Sequence, residues 1–223
     1  MMIDAQVSLD LMNFIETNIL PQYASFGSSH GLAHVQRVIA RSLQLAKKIG
    51  VDVNMAYAIA AYHDIGMSGP RAIHHITSGK ILAADQRLRK WFSAEQMKTM
   101  REAVEDHRAS LSHAPRNIYG KIVAEADRDL EPEVVFRRTI QFGLENYPDK
   151  DKEEQWRRFM EHMQSKYSSH GYITLWIPNS PNEKHLKEIR SLISNPTELR
   201  KVFERMYQEE CQKNTDITSK SGK

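Results

Sequence analysis

The chain has 223 residues, 31 Lys and Arg against 28 Asp and Glu, 40% hydrophobic and 26% charged residues, and a single cysteine. That length can bury a sizeable core and the composition is that of a folded chain, while a net charge of +3 is too small for the basic stripe that nucleic-acid binding uses. The lone Cys211 excludes an intramolecular disulfide and a cysteine-based zinc cluster, and the longest clean apolar run, Met55 to Tyr62, falls far short of the roughly 18 residues that span a membrane. The start MMIDAQVSLDLMNF lacks the basic charge and unbroken apolar segment of a secretory leader, so it is read as part of the mature fold of a cytoplasmic protein.

In chain order, Leu9, Met12, Ile15 and Ile19 recur at helical spacing up to Pro21. A second helix from about Leu32 carries Val35, Val38, Ile39, Leu45 and Ile49 and stops at Gly50. A third begins after Asp52, an N-cap residue type, and runs through AYAIAAY to His63-Asp64, where Gly66, Gly69 and Pro70 break it. A fourth, roughly Arg71 to Arg89, has His74 and His75 near its start. Ser93 and Gln96 form a capping box for a helix on which Met97, Met100, Val104 and His107 share a face. Ile118, Ile122, Val123 and Ala126 mark a further helix that ends near Asp127, before Pro132.

From there amphipathic helices are expected at about Glu133 to Phe142, Asp151 to Tyr167, Lys184 to Ile193 and Pro196 to Glu209. The only strand-like piece, GYITLWIP, has no partner to make a sheet with. The predicted fold class is all-α: a helical core over 1–132, a C-terminal helical extension over 133–210, and a polar tail over 211–223 that is expected to be disordered.

Chemistry gathers on the first half. About half of one His-Asp pair is expected by chance at this composition, so His63-Asp64 alone carries little weight. Singly, His34, His75, His107 and Asp127 also read as satisfied core histidines or a helix cap. Together they put several polar groups on inward faces or helix ends, where each is costly unless bonded. A divalent cation would satisfy imidazole and carboxylate at once.

The segments HVQRVIARSLQLAKKIG, AYHDIG and KIVAEADRDLEP, in that order, resemble the HD-domain metal-dependent phosphohydrolases over about Gly27 to Pro132. The resemblance implies a helical bundle in which His34, His63, Asp64 and Asp127 bind one metal, with His63-Asp64 at the catalytic centre and Asp64 bridging to a second ion held by His75 and His107. His75 is preferred to His74 because Ser78-Gly79 follows it. The implied reaction is attack of a metal-activated water on a phosphate ester or anhydride, a nucleotide among the candidates. One or two divalent ions are expected, iron or manganese ahead of zinc, cobalt or magnesium.

Arg71, Lys80, Arg108 and Arg128 lie close in sequence to these ligands and are the candidates for holding a small phosphorylated substrate. His30, four residues before His34, reads as an ordinary loop histidine. Two other functions compete: a non-catalytic regulatory or ligand-binding module with a structural metal, and nucleic-acid binding through the basic tail. The sequence is silent on oligomeric state.

Overall fold

The computed structural model describes residues 6–27, 30–111 and 113–220, with side chains up to Lys213. The expectation that the first five residues belong to the fold lies outside the described residues. Those described form ten α-helices and no strand: α1 (Leu9–Asn18), α2 (Leu32–Ile49), α3 (Val53–Tyr62), α4 (His74–Ala84), α5 (Ala94–Glu105), α6 (Ile118–Asp127), α7 (Pro132–Asn146), α8 (Lys152–Tyr167), α9 (Pro181–Ile193) and α10 (Pro196–Lys220). The all-α reading is correct. Contacts divide the chain into two units, one running to Arg128 and taking in Trp176–Pro178, the other comprising Asp129–Leu175 and Asn179 onward.

In the first unit, side-chain caps start the helices where the sequence places them. Ser8 accepts from Leu11 N, Asp52 from Asn54 N and Met55 N, and Asn117 from Gly120 N. Ser93 and Gln96 close the expected capping box on α5. Every residue of α3 except Asn54 is buried, and the end of the helix carries His63-Asp64 into the interior.

A buried tyrosine fixes that end. Tyr23 Oη donates to Ala61 O at 2.9 Å and accepts from Asp64 N at 3.3 Å, so one hydroxyl satisfies a terminal carbonyl of α3 and the amide after it. Burial, reinforced by the negative charge of Asp64, raises the Tyr23 pKa well above its ordinary value and keeps the phenol protonated.

Where one helix is expected from Arg71 to Arg89, the structure has three pieces. A 3-10 turn over Arg71–Ile73 leads into α4, and a second over Gln86–Lys90 follows it. The break lies at Asp85, whose extended backbone leaves the helix. Its carboxylate accepts from Arg87 N, from the Arg87 guanidinium and from Tyr62 Oη, a better arrangement for Asp than a helix interior.

The second unit is built on a buried aromatic cluster in which Phe136, Phe159 and Phe203 meet, with Trp156 stacked on Phe159 at 5.8 Å between centroids. Asp151 and Glu154 form a capping box on α8. Arg137 on α7 pairs with Glu209 and Glu210 on α10. Helix α10 continues to Lys220, past the point near residue 210 where the sequence reading ends its last helix. GYITLWIP is extended but pairs with no strand among the described residues.

His162 supplies a test of this unit. Its burial, with the positive charges of Lys166 and Arg158 nearby, pushes its pKa down to about 4. A depressed histidine stabilises the fold fully above its unfolded pKa of about 6.5, and that stability is lost as pH falls from there towards 4. Chemical denaturation at pH 7 and pH 4.5 should show His162→Gln losing about 1–2 kcal/mol less than wild type over that interval, after allowance for the partial exposure of the ring. Parallel losses would remove His162 from the account.

Candidate metal centre

Five elements deliver six side chains to one buried point of the first unit. His34 comes from the inward face of α2, His63 and Asp64 from the end of α3, His74 from the first residue of α4, His107 from just beyond α5, and Asp127 from the last residue of α6. All are buried except Asp127, which keeps 28% of its side chain exposed. The sequence reading named five of the six.

Asp64 sits between two pairs of imidazoles. Its Oδ2 lies 3.5 Å from His34 Nε2 and 3.3 Å from His63 Nε2, and its Oδ1 lies 3.2 Å from His74 Nε2 and 3.4 Å from His107 Nε2. Within each pair the rings meet at the same atom, His34 Nε2 to His63 Nε2 at 3.2 Å and His74 Nε2 to His107 Nε2 at 3.1 Å. Asp127 Oδ1 adds a contact of 3.2 Å to His34 and 3.9 Å to His63.

The opposite nitrogens explain why these rings point as they do. His63 Nδ1 donates to Ala60 O at 2.7 Å, His74 Nδ1 to Arg71 O at 2.8 Å and His107 Nδ1 to Val104 O at 2.7 Å. Each partner is the carbonyl three residues back, within reach of the ring at the end or start of a helical turn. A carbonyl only accepts, so Nδ1 carries the hydrogen and Nε2 of the neutral ring carries a lone pair. Lone pairs facing each other at 3.1 Å beside a carboxylate repel unless an electrophile lies between them. A proton can play that part, and so can a metal ion.

The charges respond accordingly. Burial by itself raises the pKa of Asp64, but the charge of His63 and hydrogen bonds from His107, His30 and His34 overcome it and hold the carboxyl far below the usual range. Asp127 behaves likewise: burial opposes ionisation, and the hydrogen bond from His34 prevails. Burial would lower His34, yet hydrogen bonds to Asp127 and Asp64 raise it to about 9. Two ionised carboxylates in an apolar interior therefore demand a positive charge among them.

The donor set fits divalent cations. Ligands about 2.1 Å from one ion stand roughly 3.0–3.4 Å from each other, close to the separations seen here. Asp64 with His34, His63 and Asp127 could hold one ion, and Asp64 with His74 and His107 a second, with the Asp64 oxygens divided between them.

Two placements differ from the sequence expectation. His74, not His75, reaches the cluster. His75 is buried beside it with Nδ1 unpartnered, and its burial together with the charge of Arg108 lowers its pKa to about 4. The 3-10 turn over Arg71–Ile73 sets the phase of α4 so that His74, Ser78 and Leu82 form one buried stripe at i, i+4 and i+8. The i+8 partner Leu82 was the signal that could have found His74. His30 is the other difference: its Nδ1 donates to Asp64 Oδ2 at 2.7 Å while 23% of the side chain stays exposed. No periodicity marks a residue in that loop.

The four candidate cations also separate. Arg108 donates from Nη1 to Ala72 O at 2.6 Å, tying its loop to the turn that precedes His74, and Arg71 in that turn is exposed. Lys80 is exposed and lies about 120° around α4 from His74. Arg128 is buried, with Nη1 donating to Ala124 O at 2.6 Å and Nε unpartnered, and burial lowers its pKa. It does not offer an exposed head to a substrate as the sequence reading expects.

The family model for the HD domain matches residues 31–130, a span that contains His34, His63, Asp64, His74, His107 and Asp127. Residues 31–130 form an HD domain. Helices α2 to α6 and the residues just beyond their ends supply the six side chains of the cluster, and His30 lies one residue before the matched span. Among solved structures, this chain is similar to Bacillus subtilis YpgQ, whose crystal structure is in complex with ADP, with 17% sequence identity, a TM-score of 0.53, and coverage of 92% of this chain and 95% of that one. At that identity the likeness is one of fold. No curated protein matches the chain significantly. Among the described residues, no helix is long and apolar enough to cross a membrane.

Proposed function

We propose that this HD-domain protein is a metal-dependent phosphohydrolase that cleaves a phosphate ester or anhydride of a small molecule, with a nucleoside phosphate as the leading substrate class. The observation that carries the reading is the pair of opposed imidazole couples, His34 with His63 and His74 with His107, divided by the two oxygens of Asp64. We assign His34, His63, Asp64 and Asp127 to one ion and Asp64, His74 and His107 to a second, iron or manganese being favoured by the mix of imidazole and carboxylate. A divalent pair held there would supply Lewis acidity towards a water and the phosphoryl oxygens.

The protein's own groups do the remainder. His63, His74 and His107 donate from Nδ1 to backbone carbonyls, which orients the rings and leaves Nε2 of the neutral tautomer facing the cluster. His30 holds a proton at Nδ1 against Asp64 Oδ2 and fixes the rotation of the carboxylate between the two couples. Asp127 leaves the cluster open on its exposed side, where a substrate can enter. Arg71 and Arg108, beside the His74 turn, are suited to anchoring phosphate. Support for a nucleotide comes from the fold neighbour YpgQ, which was crystallised with ADP.

Chelation of the purified protein should abolish phosphate release from a panel of nucleoside mono-, di- and triphosphates, and added Mn2+ or Fe2+ should restore it. Stoichiometric metal with no turnover across the panel would replace the enzyme reading with a ligand-binding module.

A further inference from the structure

Two close backbone approaches hold α4 beside the cluster. On one side Gly66 N donates to Ser78 Oγ at 2.9 Å, and Ser78 is wholly buried. A Cβ on Gly66 would lie 2.4 Å from His74 O and 2.7 Å from Ser78 N, so the backbone after Asp64 rests directly on the first turn of α4. On the other side a Cβ on Gly79 would lie 2.7 Å from Glu105 Cγ and 3.3 Å from Arg101 O. Glu105 is itself buried and fixed by Arg101 Nε at 2.7 Å and Arg116 Nη2 at 2.8 Å, and Asp106 accepts from Arg116 N at 2.7 Å.

These contacts stand close in sequence to the three groups that would hold the second ion. Asp64 lies two residues before Gly66, His74 one turn before Ser78, and His107 two residues after Glu105. Asp64 Oδ1, His74 Nε2 and His107 Nε2 are within 3.1 to 3.4 Å of each other across that frame. The Glu105 side is held by packing and two arginines. On the Gly66 side the Ser78 hydroxyl makes the polar tie, and alanine, the best helix former, can stand in its place on α4. The His34, His63 and Asp127 group is delivered by α2, the end of α3 and α6.

We propose that Ser78 is a positioning residue for the second cation: by accepting the Gly66 N–H it sets the separation of Asp64 from His74, and thereby decides whether the cluster takes one divalent ion or two. The inference rests on the two-ion reading above. Metal sites tolerate ligand displacements of only about 0.2 Å, and loss of a group that orients a ligand weakens binding by about 10–100-fold. The effect of Ser78 should therefore fall on one binding step and spare the other.

The test adds Mn2+ stepwise to the metal-free full-length protein in a calorimeter, with the ion count checked by elemental analysis. Wild type should take up two equivalents. Ser78→Ala should keep the first step with its affinity intact, which also reports that the variant is folded, and bind the second at least about tenfold more weakly. Ser42→Ala is the control, since Ser42 is equally buried on α2 and its hydroxyl has no partner; it should match wild type. If Ser78→Ala is too unstable to purify, Ser78→Cys, with a weakly accepting sulfur, is read in the same way.

Two strong steps in Ser78→Ala overturn the inference and leave the two-ion reading standing. Both steps weakened together also overturn it, because a general packing defect would do that. A wild type that binds one equivalent overturns the two-ion reading and this inference with it.

Discussion

Asp64→Ala should remove bound divalent metal and phosphohydrolase turnover together, with a loss of activity on the order of 10³-fold or more, while the far-UV helical signal persists. The Asp64 carboxylate lies within 3.5 Å of all four rings of the two imidazole couples. Oδ2 serves His34 and His63, Oδ1 serves His74 and His107, and His30 is hydrogen-bonded to Oδ2 as well. Deleting the carboxylate leaves those rings without the anion that draws them together and removes the oxygen that each couple shares. The helices themselves are held elsewhere, by the packing of α3 and by Tyr23 clamping Ala61 O to Asp64 N through backbone atoms that alanine retains. Elemental analysis and turnover on the same preparation check this; metal and activity both at wild-type level would sink the assignment.

The second large effect separates neighbours in the sequence. His74→Ala should lower the bound ion count from two to one and reduce turnover about 10²-fold, whereas His75→Ala should leave the ion count unchanged. His74 Nε2 stands 3.2 Å from Asp64 Oδ1 and 3.1 Å from His107 Nε2, while His75 is turned into the protein beside it with an unpartnered Nδ1. Removing His75 takes away a buried polar atom that gains nothing from its surroundings, so its cost is confined to lost packing. Ion counts that fall in His75→Ala and stay at two in His74→Ala would restore the sequence-based choice and overturn the geometric one.

The cluster residues named from the sequence, His34, His63, Asp64, His107 and Asp127, came from the resemblance to the HD-domain family, while local patterning showed only that each lies on an inward face or at a helix end. The place of His34 follows from the phase of Val35, Val38 and Leu45 on α2, and that of His63-Asp64 from an apolar helix that ends abruptly. The places of His107 and Asp127 follow from the apolar faces of α5 and α6. The all-helical fold and the capping residues at Asp52, Ser93 and Asp151 were set by the same local chemistry.

What the sequence determined by itself was thus the helical class and the positions of most helix starts, and the family resemblance added five of the six residues in the cluster. The tertiary structure decided the remainder. Choosing His74 over its neighbour depends on a 3-10 turn that shifts the phase of α4. His30 joins because a loop with no periodicity folds back onto Asp64, and Arg128 is lost to the interior because helix packing closes over it. The choice of His74 turns on a rotation of about 100° that only the spacing to Leu82 marks, and the other two turn on contacts between segments far apart in the chain, which the local pattern of apolar residues does not record.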